Sequence, residues 1–150
     1  MHSMQRSIAA LAMLLIAALG ASAKNGRDFG GFYSVTNAAR DGRQVRVTVM
    51  LQIFNYSGED LAEASVMILH SPPVAAVFGT YSPIEQWRDG TDVRLAMHIT
   101  VPEDEYDHWA GRRQPSVCVV TRDSQGRELQ RTVQLSRRPA IQLQEDSDAQ

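Results

Sequence analysis

The chain has 150 residues, with 15 lysines and arginines against 17 aspartates and glutamates, which gives a formal charge of −2 at pH 7. This near balance, without any basic block, argues against a nucleic-acid-binding protein, because such proteins carry a basic patch or stripe. The length suits one domain, and the single cysteine excludes an intramolecular disulfide.

The first 23 residues have the three parts of a secretory signal peptide. Arg6 precedes an apolar run of 12 residues, 8–19, and small residues follow at 20–23. Ala21 and Ala23 suit the narrow pockets of signal peptidase, so we predict cleavage before Lys24. Spanning a bilayer takes about 20 apolar residues, so the run is too short for a stable membrane anchor. No cysteine lies at the cleavage point, which argues against a lipoprotein.

Cleavage would remove 23 of the 150 residues and leave 127. The loss of Arg6 would change the formal charge from −2 to −3. A chain of this size buries roughly two-thirds of its unfolded surface, enough for a core without metal or disulfide. We expect one domain over residues 24–137 and a flexible acidic tail over 138–150. A brief alternation at 140–143 would allow one more edge strand.

Apolar residues at every second position dominate the mature chain, which is typical of strands with one face in a core. The pattern is clearest at residues 44–55, and residues 92–101 repeat it. Turn residues separate most of the segments. The seven predicted strands are residues 32–36, 44–55, 62–69, 77–81, 92–101, 116–122 and 128–135.

About seven short antiparallel strands in a little over 100 residues predict an all-β fold, a single immunoglobulin-like β-sandwich. An eight-stranded barrel is the alternative. Residues 102–106 predict a helical turn between the sheets, because proline suits the first helical position and acidic residues complement the helix dipole.

The segment from Val47 to Asn55 resembles part of the bacterial immunoglobulin-like and fibronectin-like modules of the CARDB type. In those modules a strand ends in asparagine and a glycine turn follows, as Ser57-Gly58 does here. A short polar linker and then the next strand follow in those modules. Asp60-Leu61 and then residues 64–66 match this part here. The resemblance covers about residues 45–135 and implies the sandwich fold and an accessory role. It implies no catalytic residue.

No arrangement typical of an enzyme is present in the sequence. Hydrolytic catalysis requires a nucleophile, a base and an orienting group, and neither a G-x-S-x-G nor a cysteine–histidine motif occurs. The densest ionisable cluster, residues 103–108, would offer oxygen ligands to calcium. Its spacing does not fit an EF-hand loop, so we interpret it as a solvated helical turn. We predict no enzyme activity, no metal and no cofactor.

Two predicted strands, 62–69 and 116–122, are apolar on both faces and would share one sheet. The outer face of that sheet would carry Met67, Leu69, Cys118 and Val120, or the residues opposite them. An uncovered apolar sheet face marks an interface, although the N-terminal segment or residues 140–143 would also serve to cover it. The apolar neighbours of Cys118 indicate a buried, inert thiol.

The aromatic residues near predicted loops supply the other candidate site. Trp87 and Trp109, with nearby tyrosines, would allow sugar rings to stack in a carbohydrate- or small-ligand-binding module. The competing interpretation is that both indoles close the ends of the core.

The sequence therefore predicts an exported protein, periplasmic or extracellular, that acts without catalysis in protein–protein interaction or envelope structure. Its partner would be another envelope or secreted protein, or a second copy of itself.

Overall fold

The computed structural model of the protein describes residues 28–72, 76–111, 113–123 and 125–139. The predicted signal peptide, residues 1–23, and all but the first residues of the predicted tail lie outside these ranges. The elements are β1 Phe29–Asp41, β2 Gln44–Asn55, β3 Leu61–Leu69, β4 Val77–Thr80, β5 Ile84–Trp87, β6 Asp92–Pro102, α1 Glu103–Ala110, β7 Ser116–Arg122, β8 Glu128–Thr132 and β9 Gln134–Arg137.

The strands form two sheets, which confirms the predicted all-β sandwich in place of a single closed barrel. The first sheet has the order β6-β2-β1-β9, and the second has the order β4-β3-β7-β8, with β5 also paired to β3. The order β1, β2 and β6 in one sheet with β3 and β7 in the other follows strands A, B, E and C, F of the immunoglobulin scheme. The β1–β9 pair is parallel, unlike the antiparallel pairing predicted throughout.

The inward side chains of β2 fill the core between the sheets, as its alternating pattern predicted. Its inward side chains are all buried, and those of β3 and β7 face them across the sandwich. Each such side chain contributes about 1.5–3 kcal/mol when it leaves water. The largest fully buried aliphatic side chains of these three strands are Val45, Val49, Leu51, Ile53, Val66, Ile68, Val117 and Val119.

The strand predicted over residues 128–135 is two strands in different sheets. The chain leaves the second sheet at Val133, and β9 continues in the first sheet beside β1. The Gln114 side chain stabilises this bend, since its Nε2 donates to the Val133 carbonyl at 2.8 Å and its Oε1 accepts from the Leu135 N–H at 2.7 Å. The switch ties the two sheets together along this side of the sandwich.

The edge of the second sheet beside β3 is not one continuous strand, because two short strands pair there. β4 pairs with the end of β3, and β5, which was not predicted, pairs with its beginning. Between them the chain turns at residues 81–83, where Tyr81 is buried and its hydroxyl donates to the Val49 carbonyl at 3.1 Å. The helical turn predicted before β7 is the longer helix α1, with acidic residues in its first turn.

Candidate interaction site

The four residues predicted on an outer sheet face do lie together. In the β3–β7 register Met67 is opposite Cys118, Val120 is opposite Ser65, and Leu69 is opposite Ser116. They alternate with core residues and are outside the core cluster. They do not form an open apolar patch, since Cys118 is 2% exposed and the other three are half-buried.

The thiol of Cys118 is free and buried, as predicted. Burial raises its pKa from the ordinary value of 9.0 to about 12, because the thiolate would lose its hydration. A group of this kind is a poor nucleophile at neutral pH.

The two tryptophans lie in the core, contrary to the expectation that they offer ring faces at loops. Trp87 is 2% exposed and Trp109 is 1% exposed. The Trp87 indole packs on Phe29 with ring centroids 5.4 Å apart and donates to the Thr91 carbonyl at 3.1 Å. These indoles close the ends of the core and present no surface on which a sugar ring would stack.

Three of the four acidic residues of α1 are engaged with side chains of the protein. Glu103 and Asp107 both bind the Arg40 guanidinium. Glu105 is buried, and its Oε1 accepts hydrogen bonds from the Ser71 hydroxyl at 2.6 Å and the Trp109 indole at 3.0 Å. Within the described ranges no three histidine, cysteine or acidic side chains converge in a way that would hold a metal ion. Helix α1 is thus fastened to the sandwich by its own carboxylates.

One hydroxyl–imidazole contact joins neighbouring strands of the first sheet. Thr48 Oγ1 lies 2.8 Å from His98 Nδ1, and the two residues are directly opposite in the β2–β6 register. A nucleophile–base pair also requires a third group that orients the base. Among the hydrogen bonds of the described residues no carboxylate reaches His98. The contact therefore matches a cross-strand pair that stabilises the sheet.

Strand β6 forms an edge of the first sheet, and within the described part of the chain it pairs with β2 alone. Two hydrogen bonds at the ends fix the phase of that ladder: Asn55 N–H donates to the Thr91 carbonyl, and Glu103 N–H to the Arg43 carbonyl, each at 2.9 Å. Both pairs continue the β2–β6 register, and hydrogen-bonded pairs recur at every second residue. The odd-numbered residues of β6 therefore bond to β2, and the even-numbered ones direct their backbone groups away from it.

The even-numbered residues Ala96, His98 and Thr100 make up what we call the β6 edge. Their N–H and C=O groups point outward from the sheet, and their side chains are exposed on its outer face. Of the inward side chains of the same strand only Val101 is fully buried. The other four are apolar but only partly buried, unlike those of β2: Val93, Leu95, Met97 and Ile99. Strand D of an immunoglobulin constant domain pairs with strand E at this position, and no described residue does so here.

The other edges of the two sheets are short or broken, including the part of β1 beyond its pairing with β9, where the register shifts between Thr36 and Ala39. β4, β5 and β9 have four residues each, β8 has five, and Pro83 separates β4 from β5. Short strands, prolines and bends are the devices by which native proteins prevent edge-to-edge association. β6 has 11 residues, and its one proline, Pro102, is the last of them. The β6 edge therefore lacks the protection that the neighbouring edges have.

Comparison with protein-family models, curated proteins and solved structures gives no match. Of the helices in the described residues, none has the length and apolar character needed to cross a membrane.

The strand that carries this site was predicted over residues 92–101, but its place at an edge was not. Alternation shows which side chains face a core, and it is the same for an edge strand and a central one. The one signal in the sequence is the scarcity of charge: between Asp92 and Pro102 the only charged outward side chain is Arg94. A strand with so few outward charges is compatible with a central place in the sheet and with an edge that pairs with another chain.

Proposed function

We propose that this protein is an exported, non-catalytic β-sandwich module that binds another protein chain through strand addition at the β6 edge. The observation that carries the proposal is the length and continuity of that edge. A row of backbone groups along an 11-residue strand offers main-chain hydrogen bonds to an extended segment, which is how β-augmentation supplies affinity.

The partly buried side chains behind the edge support the same mode of binding. Leu95 and Met97 belong to the core cluster only in part, so an added strand with inward apolar residues would cover them. Burial of that surface adds a hydrophobic contribution to the main-chain hydrogen bonds. The accessory role implied by the CARDB-type resemblance agrees with this proposal, whereas the burial of Trp87 and Trp109 gives no support to a carbohydrate-binding module.

Hydrogen exchange with a short synthetic peptide of alternating valine and threonine tests strand addition. We expect the amides of Ala96, His98 and Thr100 to exchange more slowly when the peptide is bound. The amides of Leu95 and Met97, already bonded to β2, should change little. Equal effects on both sets, or none on either, would contradict the proposal.

The substitution Ala96→Pro gives a matched test on the protein side. It removes a donor that β2 does not use, and proline is tolerated on an edge strand when its nitrogen faces away from the ladder. We expect peptide affinity to fall at least tenfold, while Ala96→Ser, which keeps the N–H, binds like the wild type. Thermal melting of both variants serves as the control for folding.

Export rests on Arg6, the apolar run 8–19 and the small residues 20–23. Expression of the full chain in a Gram-negative bacterium should give a periplasmic protein whose first residue is Lys24, as determined by N-terminal sequencing. Retention of residues 1–23 on a cytoplasmic product would overturn this part of the proposal.

A further inference from the structure

We infer that the chain which adds to the β6 edge is a second copy of this protein. The two β6 strands pair antiparallel in full overlap, and the two-fold axis passes between Met97 and Met97 of the partner subunit. This inference rests on the proposed function, since it names the partner for the same edge. The two first sheets would then join into one continuous sheet of eight strands through an isologous interface.

The phase of the backbone hydrogen bonds permits this register. In an antiparallel pair, two residues exchange both hydrogen bonds only when the groups of both point toward the other strand. Full overlap places Ala96 opposite His98 of the partner subunit, so two residues of the β6 edge face each other. It places Pro102, which has no N–H, at the end of the ladder, opposite Asp92 of the partner subunit.

The length of the paired stretch and the outward side chains favour full overlap over neighbouring registers. In full overlap Arg94 lies opposite Thr100 of the partner subunit, and no two like charges are directly opposed. A slip of two residues in one direction would bring Arg94 opposite His98 of the partner subunit. The same slip in the other direction would bring the two copies of His98 face to face. Full overlap also pairs all 11 residues of each strand, whereas either slip leaves two residues of each strand without a partner.

The inward side chains are also self-complementary. Leu95 would lie opposite Ile99 of the partner subunit, and Val93 opposite Val101 of the partner subunit. All of the odd-numbered residues from 93 to 101 are apolar, so every inward pair in this register is apolar on both sides. The side chains of Leu95 and Ile99, which are only partly buried in one subunit, would thereby each pack against an apolar side chain of the other subunit.

Disulfide trapping in a Cys118→Ser background tests both the partner and the register. Directly opposite residues in a hydrogen-bonded pair have Cα atoms about 5.5 Å apart, which suits a disulfide. We expect Ala96→Cys chains mixed with His98→Cys chains to form a mixed disulfide dimer under mild oxidation. Either variant alone should react at least tenfold more slowly, because full overlap sets identical positions diagonally apart.

The wild-type chain gives an independent readout without cysteines. The amides of Ala96 and His98 should exchange more slowly as protein concentration rises, and sedimentation should show a dimer. Rapid formation of a disulfide between two Ala96→Cys chains would overturn the register. A monomer up to about 1 mM, with unprotected amides, would overturn self-association. If the synthetic peptide still protects those amides, strand addition stands with another partner; if it does not, both proposals fail.

Discussion

At the scale of single residues, buried polar side chains fasten the turns to the sandwich. Asn55 is fully buried at the end of β2, and both ends of its amide are used. Its Nδ2 donates to the Glu59 and Trp87 carbonyls, and its Oδ1 accepts from the backbone and hydroxyl of Ser57. This arrangement gives a physical reason for an asparagine followed by a serine–glycine turn at this strand end, because the side chain replaces backbone partners that the turn lacks.

The Cys118 thiol and the Tyr81 hydroxyl are buried, and both are neutral in the folded protein at pH 7. Burial raises the pKa of the Cys118 thiol to about 12 and raises the pKa of the Tyr81 hydroxyl well above its usual value of 10.0. A group whose folded pKa is raised in this way contributes stability that is complete below its unfolded pKa. That contribution is lost as the pH rises toward the folded value.

We therefore expect the free energy of unfolding to fall above about pH 9, by up to about 1.4 kcal/mol per pH unit for each ionising group. Urea unfolding between pH 7 and pH 11 measures the effect. The variant Cys118→Ala should lose the part that begins near pH 9. It should keep the later part due to Tyr81 and to Tyr33, whose pKa is also raised by burial. A wild-type profile that stays flat to pH 11 would show that these groups ionise without cost in the folded state.

At the scale of the elements, two like charges lie directly opposite in the second sheet. Glu63 of β3 is paired with Glu85 of β5, and both side chains are exposed. Directly opposed like charges destabilise an antiparallel pair, and opposite charges in the same place stabilise it. The β3–β5 pair is therefore a site at which the natural sequence is not optimised for stability.

The substitution Glu85→Lys should raise the free energy of unfolding by about 0.2–1 kcal/mol, measured by urea titration at low salt. Glu85→Gln, which removes the repulsion without adding an attraction, should fall between the two. High salt should narrow the difference, because it screens exposed charges. If the lysine variant is less stable than the glutamine variant, the two side chains do not interact across the pair as the register indicates.

At the scale of the whole molecule, the sequence predicted the layers better than the edges. The alternation of β2 and β6 requires a core on one face, and the number and spacing of the short strands predicted a sandwich. The switch of sheets at Val133 depends on the Gln114 side chain, which lies 19 residues away in sequence. No local pattern at residues 128–135 signals a contact of that kind, and the same limit hides the edge position of β6.

The residues proposed from the sequence as binding sites were placed only in part, for the same reason. The outer residues Met67 and Cys118 are opposite each other as the pattern implied, since strand pairing follows from topology. How far they are exposed depends on what lies over the sheet, which periodicity does not report. Trp87 and Trp109 were placed near loops correctly, but their burial depends on tertiary contacts with Phe29 and Phe78.

The parallel pairing of the first and last described strands has a mechanical consequence. β1 begins at Phe29 and β9 ends at Arg137, and the two strands run side by side in the same direction. Tension applied between these two ends acts along the strands, in shear. The hydrogen bonds that join the pair are then loaded together, whereas in an antiparallel terminal hairpin they would open one after another.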